Sequence, residues 1–390
     1  MENEKRGGRM RVGIFGGSFD PVHKEHVNFV RAAIDCLRLD KMLVMPAHIP
    51  PHKPYRNLTP DKDRLAMCRL AFSDIPEVEI SDYEISQGGT SYTYLTCRHF
   101  RALYPTAEIF FLVGTDMLRN FPLWKQPQSI VADVTLAVCG RNDEAGWWES
   151  EQEKFVNTFG VPFARVDYNG EDVSSTKIRV LAGAGMRLND FVDEKTEAYI
   201  LQNGLYKIEG AEKALALEKP ERQAHSIRVA NLAAARASTL KISERKAIEA
   251  ALFHDCAKNL NFDSPYLAGF IPPKDFGEVP ASVWHQYAGA HVAEHIFGVQ
   301  DEDVLNAIRY HTSGRPNMSE LEKLIFLADM LEEERRYEGV DMLRRLFWQG
   351  ESLDECLETA LFETLKFLET KKADVYPLTQ QAYLFYKKER

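Results

Sequence analysis

The chain has 390 residues, a formal net charge of −10 and 45% hydrophobic residues, which predicts a globular protein of two or three domains and disfavours non-specific binding to nucleic acid. No apolar run approaches the roughly 18 residues that a transmembrane helix requires, and no signal peptide is visible, so no membrane partner is expected. The six cysteines form no C-x-x-C pair, which favours reduced thiols and a cytoplasmic location, while an oligomer stays possible.

The first informative stretch is GGSFDPVHKEH at residues 16–26. It follows an apolar run and precedes a run with helical periodicity. Glycines let the backbone approach ligand oxygens, and the free N–H groups of a first helical turn attract anions, so the stretch is typical of a nucleotide-phosphate cradle. His23 and His26 are expected on one helix face, where they could donate hydrogen bonds to a polyphosphate. The stretch is neither a Walker loop nor a dinucleotide-binding fingerprint.

From residue 10 to about 208, short apolar strands alternate with helices. Strands are predicted at 10–15, 41–46, 77–80, 108–113, 133–139 and 163–167. Helices are predicted near 22–38, 60–73, 91–104 and 191–202. This alternation predicts an α/β doubly wound, Rossmann-like, mostly parallel sheet. Ligands of such sheets bind beyond the carboxyl ends of the strands, which is where the glycine-rich stretch falls.

Two later stretches offer groups that suit an acidic substrate. PAHIPPHK at residues 46–53 presents the side chains of His52 and Lys53, although a rigid proline loop with exposed basic tips would have the same sequence. SYT at residues 91–93 opens a helix, where Thr93 and free N–H groups would suit a small carboxylate. A plain helix cap is the alternative there.

Two further stretches suit a nucleotide. FLVGTD at residues 111–116 ends a predicted strand, so Asp116 could hold a ribose hydroxyl, and the nearby Trp124 could stack on an aromatic ring or simply belong to the core. SSTKIR at residues 174–179 opens another predicted helix. Its N-terminus could hold the β- and γ-phosphates, with added charge from Arg179.

In this order, the stretches resemble the nicotinate-nucleotide adenylyltransferase family of the nucleotidyltransferase superfamily, over residues 10–208. The resemblance implies transfer of AMP from ATP to nicotinate mononucleotide, which gives deamido-NAD and pyrophosphate with Mg²⁺. It implies catalytic roles for His23, His26 and Arg179. The residues that it places on the ATP side are Gly16, Gly17, Ser18, Phe19, Gly114, Asp116, Ser174, Ser175 and Arg179. Those that it places beside the pyridine nucleotide are His52, Lys53, Thr93 and Trp124.

One residue departs from that family's pattern, because Glu25 stands where the family has glycine. On a helix, residue 25 points about 200° away from His23, so its carboxylate is expected to face solvent. A glycine at this position could equally serve close packing near phosphate. The alternative prediction for the first half is therefore a sensor that binds nucleotide without turnover.

The second half has a different pattern, because strand signals nearly vanish from about residue 215 to 388. Amphipathic helices are predicted at 224–237, 244–257, 283–297 and 319–332. This half is therefore expected to be all-α.

Ionisable residues inside these apolar helices are the candidates for chemistry. His254 and Asp255 lie in an apolar run, and Lys258 is expected on the same helical face. Burying these groups is costly unless they are paired or bind metal. The other candidate ligands are His225, His285, His311 and Asp329. One buried His-Asp pair could be structural, but four histidines and two aspartates on separate helices favour a metal site in a bundle.

An adjacent His-Asp pair with distant histidines resembles the HD phosphohydrolase superfamily. Flanking stretches such as ALFHDCAK at 251–258 and AIRYHTSG at 307–314 resemble its symmetrical diadenosine tetraphosphate hydrolases, over residues 215–388. The resemblance implies cleavage into two ADP by two metal ions, with iron the expected metal, although manganese, cobalt or zinc would also suit these ligands. The implied metal ligands are His225, His254, Asp255, His285, His311 and Asp329. Asp255 and Lys258 are also implied in catalysis.

A short pattern in this half points elsewhere, because HVAEH at residues 291–295 matches the H-x-x-E-H pattern of zinc proteases. Matches to short patterns occur by chance, and His291 and His295 are expected at a helix surface. The leading prediction is a bifunctional enzyme with a nucleotidyltransferase domain at 10–208 and an HD phosphohydrolase domain at 215–388. The alternative for the second domain is a hydrolase of other nucleotides.

Overall fold

A computed structural model describes residues 9–51, 58–140 and 146–387. The chain forms two compact units. The first comprises Leu58–Ser175, Leu188–Asn203 and the described residues before them, and the second comprises Thr176–Arg187 and the described residues from Gly204 onward. The predicted boundaries 10–208 and 215–388 stay predictions, and residues 176–187 pack with the second unit.

The described part of the first unit contains a six-stranded sheet in the order β3-β2-β1-β4-β5-β6, and every neighbouring pair is parallel. The strands are β1 (Arg11–Gly17), β2 (Lys41–Pro46), β3 (Val78–Ile80), β4 (Glu108–Gly114), β5 (Thr135–Gly140) and β6 (Ala164–Asp167). All six overlap the predicted strands, so the doubly wound α/β fold is confirmed. The strand order reverses between β1 and β4, which is where ligands of such sheets bind.

Helices cover the sheet and bury its apolar strands. They are α1 (Lys24–Leu37), α2 (Asp61–Ala71), α3 (Tyr83–Gln87), α4 (Thr93–Leu103), α5 (Thr115–Asn120), α6 (Pro127–Asp133), α7 (Trp147–Phe159) and α9 (Glu194–Gln202), while α8 (Ser175–Gly183) begins at the end of the first unit's main segment. Strand residues such as Ile14, Leu136 and Val138 are almost fully buried. A parallel sheet needs such continuous apolar strands because both of its faces are covered.

The second unit is helical over its described residues. Its further helices are α10 (Ala211–Leu215), α11 (Pro220–Ala237), α12 (Glu244–Phe253), α13 (Trp284–His295), α14 (Glu302–Arg309), α15 (Glu320–Leu331), α16 (Val340–Trp348), α17 (Asp354–Thr370) and α18 (Pro377–Tyr386). Small buried side chains such as Ala230, Ala233 and Ala251 let the central helices approach closely around Phe253 and Phe326. The all-α prediction is confirmed.

One helix ends earlier than predicted. The predicted helix at 244–257 stops at Phe253, and the chain then continues in tight turns. In these turns the N–H of Cys256 donates to the carbonyl of Phe253, and the N–H of Lys258 donates to that of Asp255. His254 and Asp255 therefore stand at the end of α12 rather than within it.

Over the described residues, no helix combines the length and apolar character that crossing a bilayer demands. All six cysteines lie in the described ranges and are free thiols, five of them buried.

Candidate active sites in the two units

The paired histidines of the first unit lie at the start of α1. The rings of His23 and His26 stack with centroids 3.6 Å apart. The backbone N–H of His23 donates to Nδ1 of His26 over 3.2 Å. A neutral His26 ring therefore carries its proton on Nε2, where it can serve as a hydrogen-bond donor.

Burial keeps both of these rings neutral near pH 7. It lowers the pKa of His23 to about 4, against a smaller opposite effect of the Glu25 charge. It also lowers the pKa of His26 well below its ordinary value, and the charge of a protonated His23 would act in the same direction. Nδ1 of His23 has no hydrogen-bond partner among the described residues. The pair can thus offer hydrogen bonds to a phosphate without itself being charged.

The other predicted ATP-side residues of the sheet gather at its carboxyl edge. Gly16 and Gly17 end β1, and Gly114 ends the neighbouring parallel strand β4. A Cβ atom on Gly114 would lie 2.5 Å from Oδ1 of Asp116, so a side chain there would displace this carboxylate. Asp116 is exposed, as a ligand-binding carboxylate should be.

Phe19 and Ser18 have different surroundings in the loop between β1 and α1. Phe19 is buried, and its ring lies 5.1 Å from that of His26, so its side chain supports the histidine pair from within the protein. Ser18 is half-buried, and its carbonyl accepts a hydrogen bond from Arg64 over 2.8 Å.

The SSTKIR stretch is divided between the two units. Ser175 opens α8, and its hydroxyl donates to the carbonyl of Pro21 over 2.9 Å, which brings the helix start to the loop before His23. Ser174 is exposed beside it. Arg179 lies in the second unit, where its guanidinium pairs with Glu244 and donates to Oγ1 of Thr176. The proposed contact of Arg179 with ATP stays a prediction, and in this structure its charge is matched by Glu244.

Two of the predicted pyridine-nucleotide residues lie among aromatic side chains. Thr93 is the first residue of α4, and the ring of the preceding Tyr92 lies under Nζ of Lys125 at 3.9 Å. Trp124 is half-buried and packs against Phe121 at 5.3 Å between ring centroids, so it serves the core with part of its surface. His52 and Lys53 lie outside the described residues.

Glu25 does not face solvent as expected. Its half-buried carboxylate accepts a hydrogen bond from the hydroxyl of Tyr168 and another from the backbone N–H of Glu171, at 2.9 Å. The side-chain amide of Asn28 donates to it over 3.0 Å. The expectation was wrong because a loop 143 residues further along the chain lies over this face of α1.

Sequence reasoning missed Arg64, whose side chain is fully buried in α2. Besides holding Ser18, it donates to the carbonyl of Thr59 over 3.0 Å and pairs with Asp61. The only signal in the sequence was a charged residue within an otherwise apolar helix face. Its contacts make Arg64 a support of the loop that carries the histidines.

The predicted metal ligands of the second unit converge on one buried centre. Nε2 of His225 lies 2.9 Å from Oδ1 of Asp329. Asp255 lies among the other rings, with Oδ1 at 3.4 Å from Nε2 of His285 and 3.5 Å from Nε2 of His311. Its Oδ2 lies 3.6 Å from Nε2 of His254. All six candidate ligands are therefore brought together.

Backbone carbonyls fix the orientation of two of these rings. Nδ1 of His254 is 2.7 Å from the carbonyl of Ala251, and Nδ1 of His311 is 2.8 Å from that of Ile308. Each ring must donate from Nδ1, so its Nε2 presents a lone pair to the centre. Nε2 of His254 and Oδ1 of Asp255 are buried without a hydrogen-bond partner among the described residues. A bound cation would satisfy both atoms.

Two groups of donor atoms are compact enough to hold an ion. One consists of His225, His254 and Asp329, and the other of His254, Asp255 and His311. Imidazole nitrogens with carboxylate oxygens suit divalent transition metals. His285 lies beside the second group, at 3.2 Å from His311 between their Nε2 atoms. The donor set fits the predicted metal centre.

The electrostatics of this centre also favour a cation. Burial lowers the pKa of His254 to about 4 and that of His285 to about 2, so both rings are neutral. Burial alone would raise the pKa values of Asp255 and Asp329, but the neighbouring imidazoles at both residues, and the charge of Arg335 at Asp329, hold each pKa well below its usual range. Lone pairs and two negative charges thus face one another at neutral pH.

Three cationic side chains surround the centre. Nζ of Lys258 lies 2.8 Å from Nε2 of His285. Arg222 pairs with Asp255 at 2.9 Å, and Arg335 pairs with Asp329 at 2.5 Å. Each is about one-third exposed. Lys258 was predicted, whereas the two arginines were missed because nothing in the local sequence pairs them with these aspartates.

The H-x-x-E-H pattern lies outside this centre. His291 and His295 stack on one another along α13, with ring centroids 4.4 Å apart. His295 is exposed and His291 is half-buried. Neither belongs to the groups of potential ligands found among the described residues, in keeping with helix-surface positions.

Known proteins match both units. A cytidylyltransferase-like family model matches residues 14–181, and an HD-domain model matches residues 222–334. A probable nicotinate-nucleotide adenylyltransferase/Ap4A hydrolase of Mycoplasma genitalium is 29% identical over 94% of this chain and 100% of the relative. One of the same name from Mycoplasma pneumoniae is 30% identical over 84% of this chain and 92% of the relative. A probable nicotinate-nucleotide adenylyltransferase of Clostridium tetani is 36% identical over 50% of this chain and 98% of the relative.

Proposed function

We propose that this chain, which belongs to the nicotinate-nucleotide adenylyltransferase/Ap4A hydrolase family, catalyses one reaction in each unit. The first unit transfers AMP from ATP to nicotinate mononucleotide and releases pyrophosphate. The second unit hydrolyses diadenosine tetraphosphate to two ADP. The stacked pair of His23 and His26 carries the first assignment, and the unpartnered inward atoms of His254 and Asp255 carry the second.

Adenylyl transfer needs no covalent intermediate with the protein. A phosphate oxygen of nicotinate mononucleotide attacks the α-phosphorus of ATP, and the bond to the bridging oxygen of pyrophosphate breaks. ATP enters with Mg²⁺ as part of the substrate, which offsets phosphate charge. The neutral rings of His23 and His26 donate hydrogen bonds to oxygens on which charge develops, in a loop that Arg64 fixes. Positioning and charge stabilisation account for such catalysis.

Residues at the carboxyl edge of the sheet would bind the two nucleotides. Asp116 would hold a ribose hydroxyl, and the first turn of α8 would hold the distal phosphates. Thr93 and Trp124 would contact the pyridine nucleotide, with His52 and Lys53 as further proposed contacts. Arg179 would add charge to the phosphates once it leaves Glu244.

In the second unit, two divalent ions would be held by His225, His254, Asp255, His285, His311 and Asp329. We propose iron, and manganese, cobalt or zinc suit the same ligands. Such ions supply a hydroxide nucleophile at neutral pH and stabilise charge on phosphorus. Lys258, Arg222 and Arg335 would hold the polyphosphate, a role supported by their contacts with His285, Asp255 and Asp329 at the centre. Water adds across the central P–O–P bridge, so that each half leaves as ADP.

The first assignment is tested on the full chain with ATP and nicotinate mononucleotide. We expect deamido-NAD and pyrophosphate in equal amounts by chromatography. His26→Asn should lower kcat at least about 100-fold, while His99→Asn, at an exposed position on α4, should leave it unchanged. Tight ATP binding without any product would instead identify a nucleotide sensor.

The second assignment is tested by the products that the metal-loaded full chain forms from diadenosine tetraphosphate. Two ADP are expected, whereas AMP with ATP or free phosphate would contradict symmetrical cleavage. His254→Asn should abolish hydrolysis, and the matched control His291→Asn should not. Equal loss in both variants would argue against the proposed centre.

A further inference from the structure

We propose that Glu25 is a positioning residue of the first unit: by holding the loop at residues 168–174, it sets Ser174 and Ser175 beside the histidine pair as phosphate contacts. This role rests on the proposed adenylyl transfer. It belongs to a residue that stands where the nicotinate-nucleotide adenylyltransferase pattern has glycine.

The carboxylate of Glu25 accepts two hydrogen bonds from the loop at residues 168–174. It accepts the hydroxyl proton of Tyr168 and the backbone N–H of Glu171, so it bonds both a side chain and the main chain. The ring of Tyr168 packs edge-on against Phe29, which lies on α1 like Glu25, with ring centroids 5.8 Å apart. Burial and the bond to Glu25 raise the pKa of Tyr168, so its hydroxyl keeps the proton that it donates.

The loop is shaped to meet this side chain. A Cβ atom on Gly170 would lie 2.5 Å from Oε2 of Glu25 and 2.7 Å from the ring of Tyr168. A side chain at this position would displace the carboxylate of Glu25 or the ring of Tyr168 from their contact. The acidic residue on α1 therefore has two complementary residues, a tyrosine and a glycine, on the opposing loop.

A second anchor lies at the other end of the same segment. The hydroxyl of Ser175 donates to the carbonyl of Pro21 over 2.9 Å. Pro21 lies two residues before His23, and Glu25 lies two residues after His23. The two anchors thus lie on either side of His23 and fix Ser174 and Ser175, whose backbone N–H groups would receive the phosphates.

The variants Glu25→Gly and Tyr168→Phe test this role through KM for ATP. Releasing the loop should raise KM for ATP about 10-fold in either variant, because one or two charge-assisted hydrogen bonds are lost. KM for nicotinate mononucleotide should stay within about twofold, since its proposed contacts lie on α4 and beside Trp124. Glu25→Gln should stay near the wild type, because its amide oxygen can accept both hydrogen bonds.

Two controls separate positioning from general destabilisation. Asp35→Gly places the same glycine at an exposed position of α1 and should leave both KM values unchanged. The double variant Glu25→Gly/Tyr168→Phe should be no worse than Glu25→Gly alone, because that substitution already removes the hydrogen bond from the Tyr168 hydroxyl.

Direct ATP binding by calorimetry keeps this test independent of turnover. A tenfold weaker Kd in Glu25→Gly supports the positioning role even in a preparation that forms no deamido-NAD, a result that would count against the proposed reaction alone. Unchanged ATP affinity and KM in Glu25→Gly, or improved turnover, would overturn the role of Glu25.

Discussion

Nε2 of His285 lies 3.2 Å from Nε2 of His311 in the second unit. His311 is 2.8 Å from a backbone carbonyl through Nδ1, so its Nε2 presents a lone pair. Lys258 approaches Nε2 of His285 at 2.8 Å as the donor. In the tautomer of His285 that accepts from Lys258 through Nε2, two acceptor nitrogens face each other beside the carboxylate of Asp255, an arrangement that a bound cation would stabilise.

Removal of divalent metal should destabilise the protein. An ion that binds only the folded state at 100 times its Kd adds about 2.7 kcal/mol, so dialysis against a chelator should lower the midpoint of a thermal transition. Calorimetry before and after adding back iron, manganese, cobalt or zinc checks this and ranks the metals. His254→Asn should abolish the response, and an identical response in that variant would place the ion elsewhere.

Arg335 should matter for substrate binding, unlike its neighbour in sequence. Arg335 pairs with Asp329, whereas the guanidinium of Arg336 is exposed and donates to the backbone carbonyls of Glu333 and Arg335. Arg335→Met should raise KM for diadenosine tetraphosphate about 10-fold and weaken its dependence on salt, because a phosphate-binding charge is lost. Arg336→Met is the matched control. Metal content, measured in both, should be unchanged; its loss in Arg335→Met would assign the arginine to the metal site instead.

Arg64 should support both stability and adenylyl transfer. Arg64→Met removes donors from the carbonyls of Ser18 and Thr59, and leaving such groups unpaired should cost about 2–4 kcal/mol. Chemical denaturation with assay of the first reaction measures both effects. Arg69→Met lies on the exposed side of the same helix and should change neither. Equal effects of the two variants would contradict a specific role for Arg64.

The sheet could be predicted from the sequence because its information is local. The four central strands β2, β1, β4 and β5 are short apolar runs, and the alternation of strands with helices implies parallel pairing. The predicted metal ligands also converge, because histidines and aspartates within apolar helices are costly to bury unless they pair or bind a metal. These ligands come together around His254 because the helices that carry them pack into one bundle.

The contacts that could not be predicted join residues far apart in the chain. Glu25 and Tyr168 are 143 positions apart, and Arg179 and Glu244 are 65 apart. No local periodicity reports such pairs, so a glutamate on α1 was expected to face solvent. The short helices α3, α5 and α6 were missed for a related reason, since their five to seven residues carry too little periodicity.

Protonation of His23 should make the first unit sensitive to acid. Its pKa is lowered to about 4 by burial, compared with about 6.5 in the unfolded chain. Between these values the unfolded state binds the extra proton, so stability is complete above about pH 6.5 and falls as the pH approaches 4, by at most about 3 kcal/mol. Denaturation of wild type and His23→Asn across this range measures the effect as a difference, which includes the coupling of His23 to His26. The variant should lose less stability on acidification, and His99→Asn should behave like the wild type. Parallel pH curves for wild type and His23→Asn would show that this ring is not buried in its neutral form.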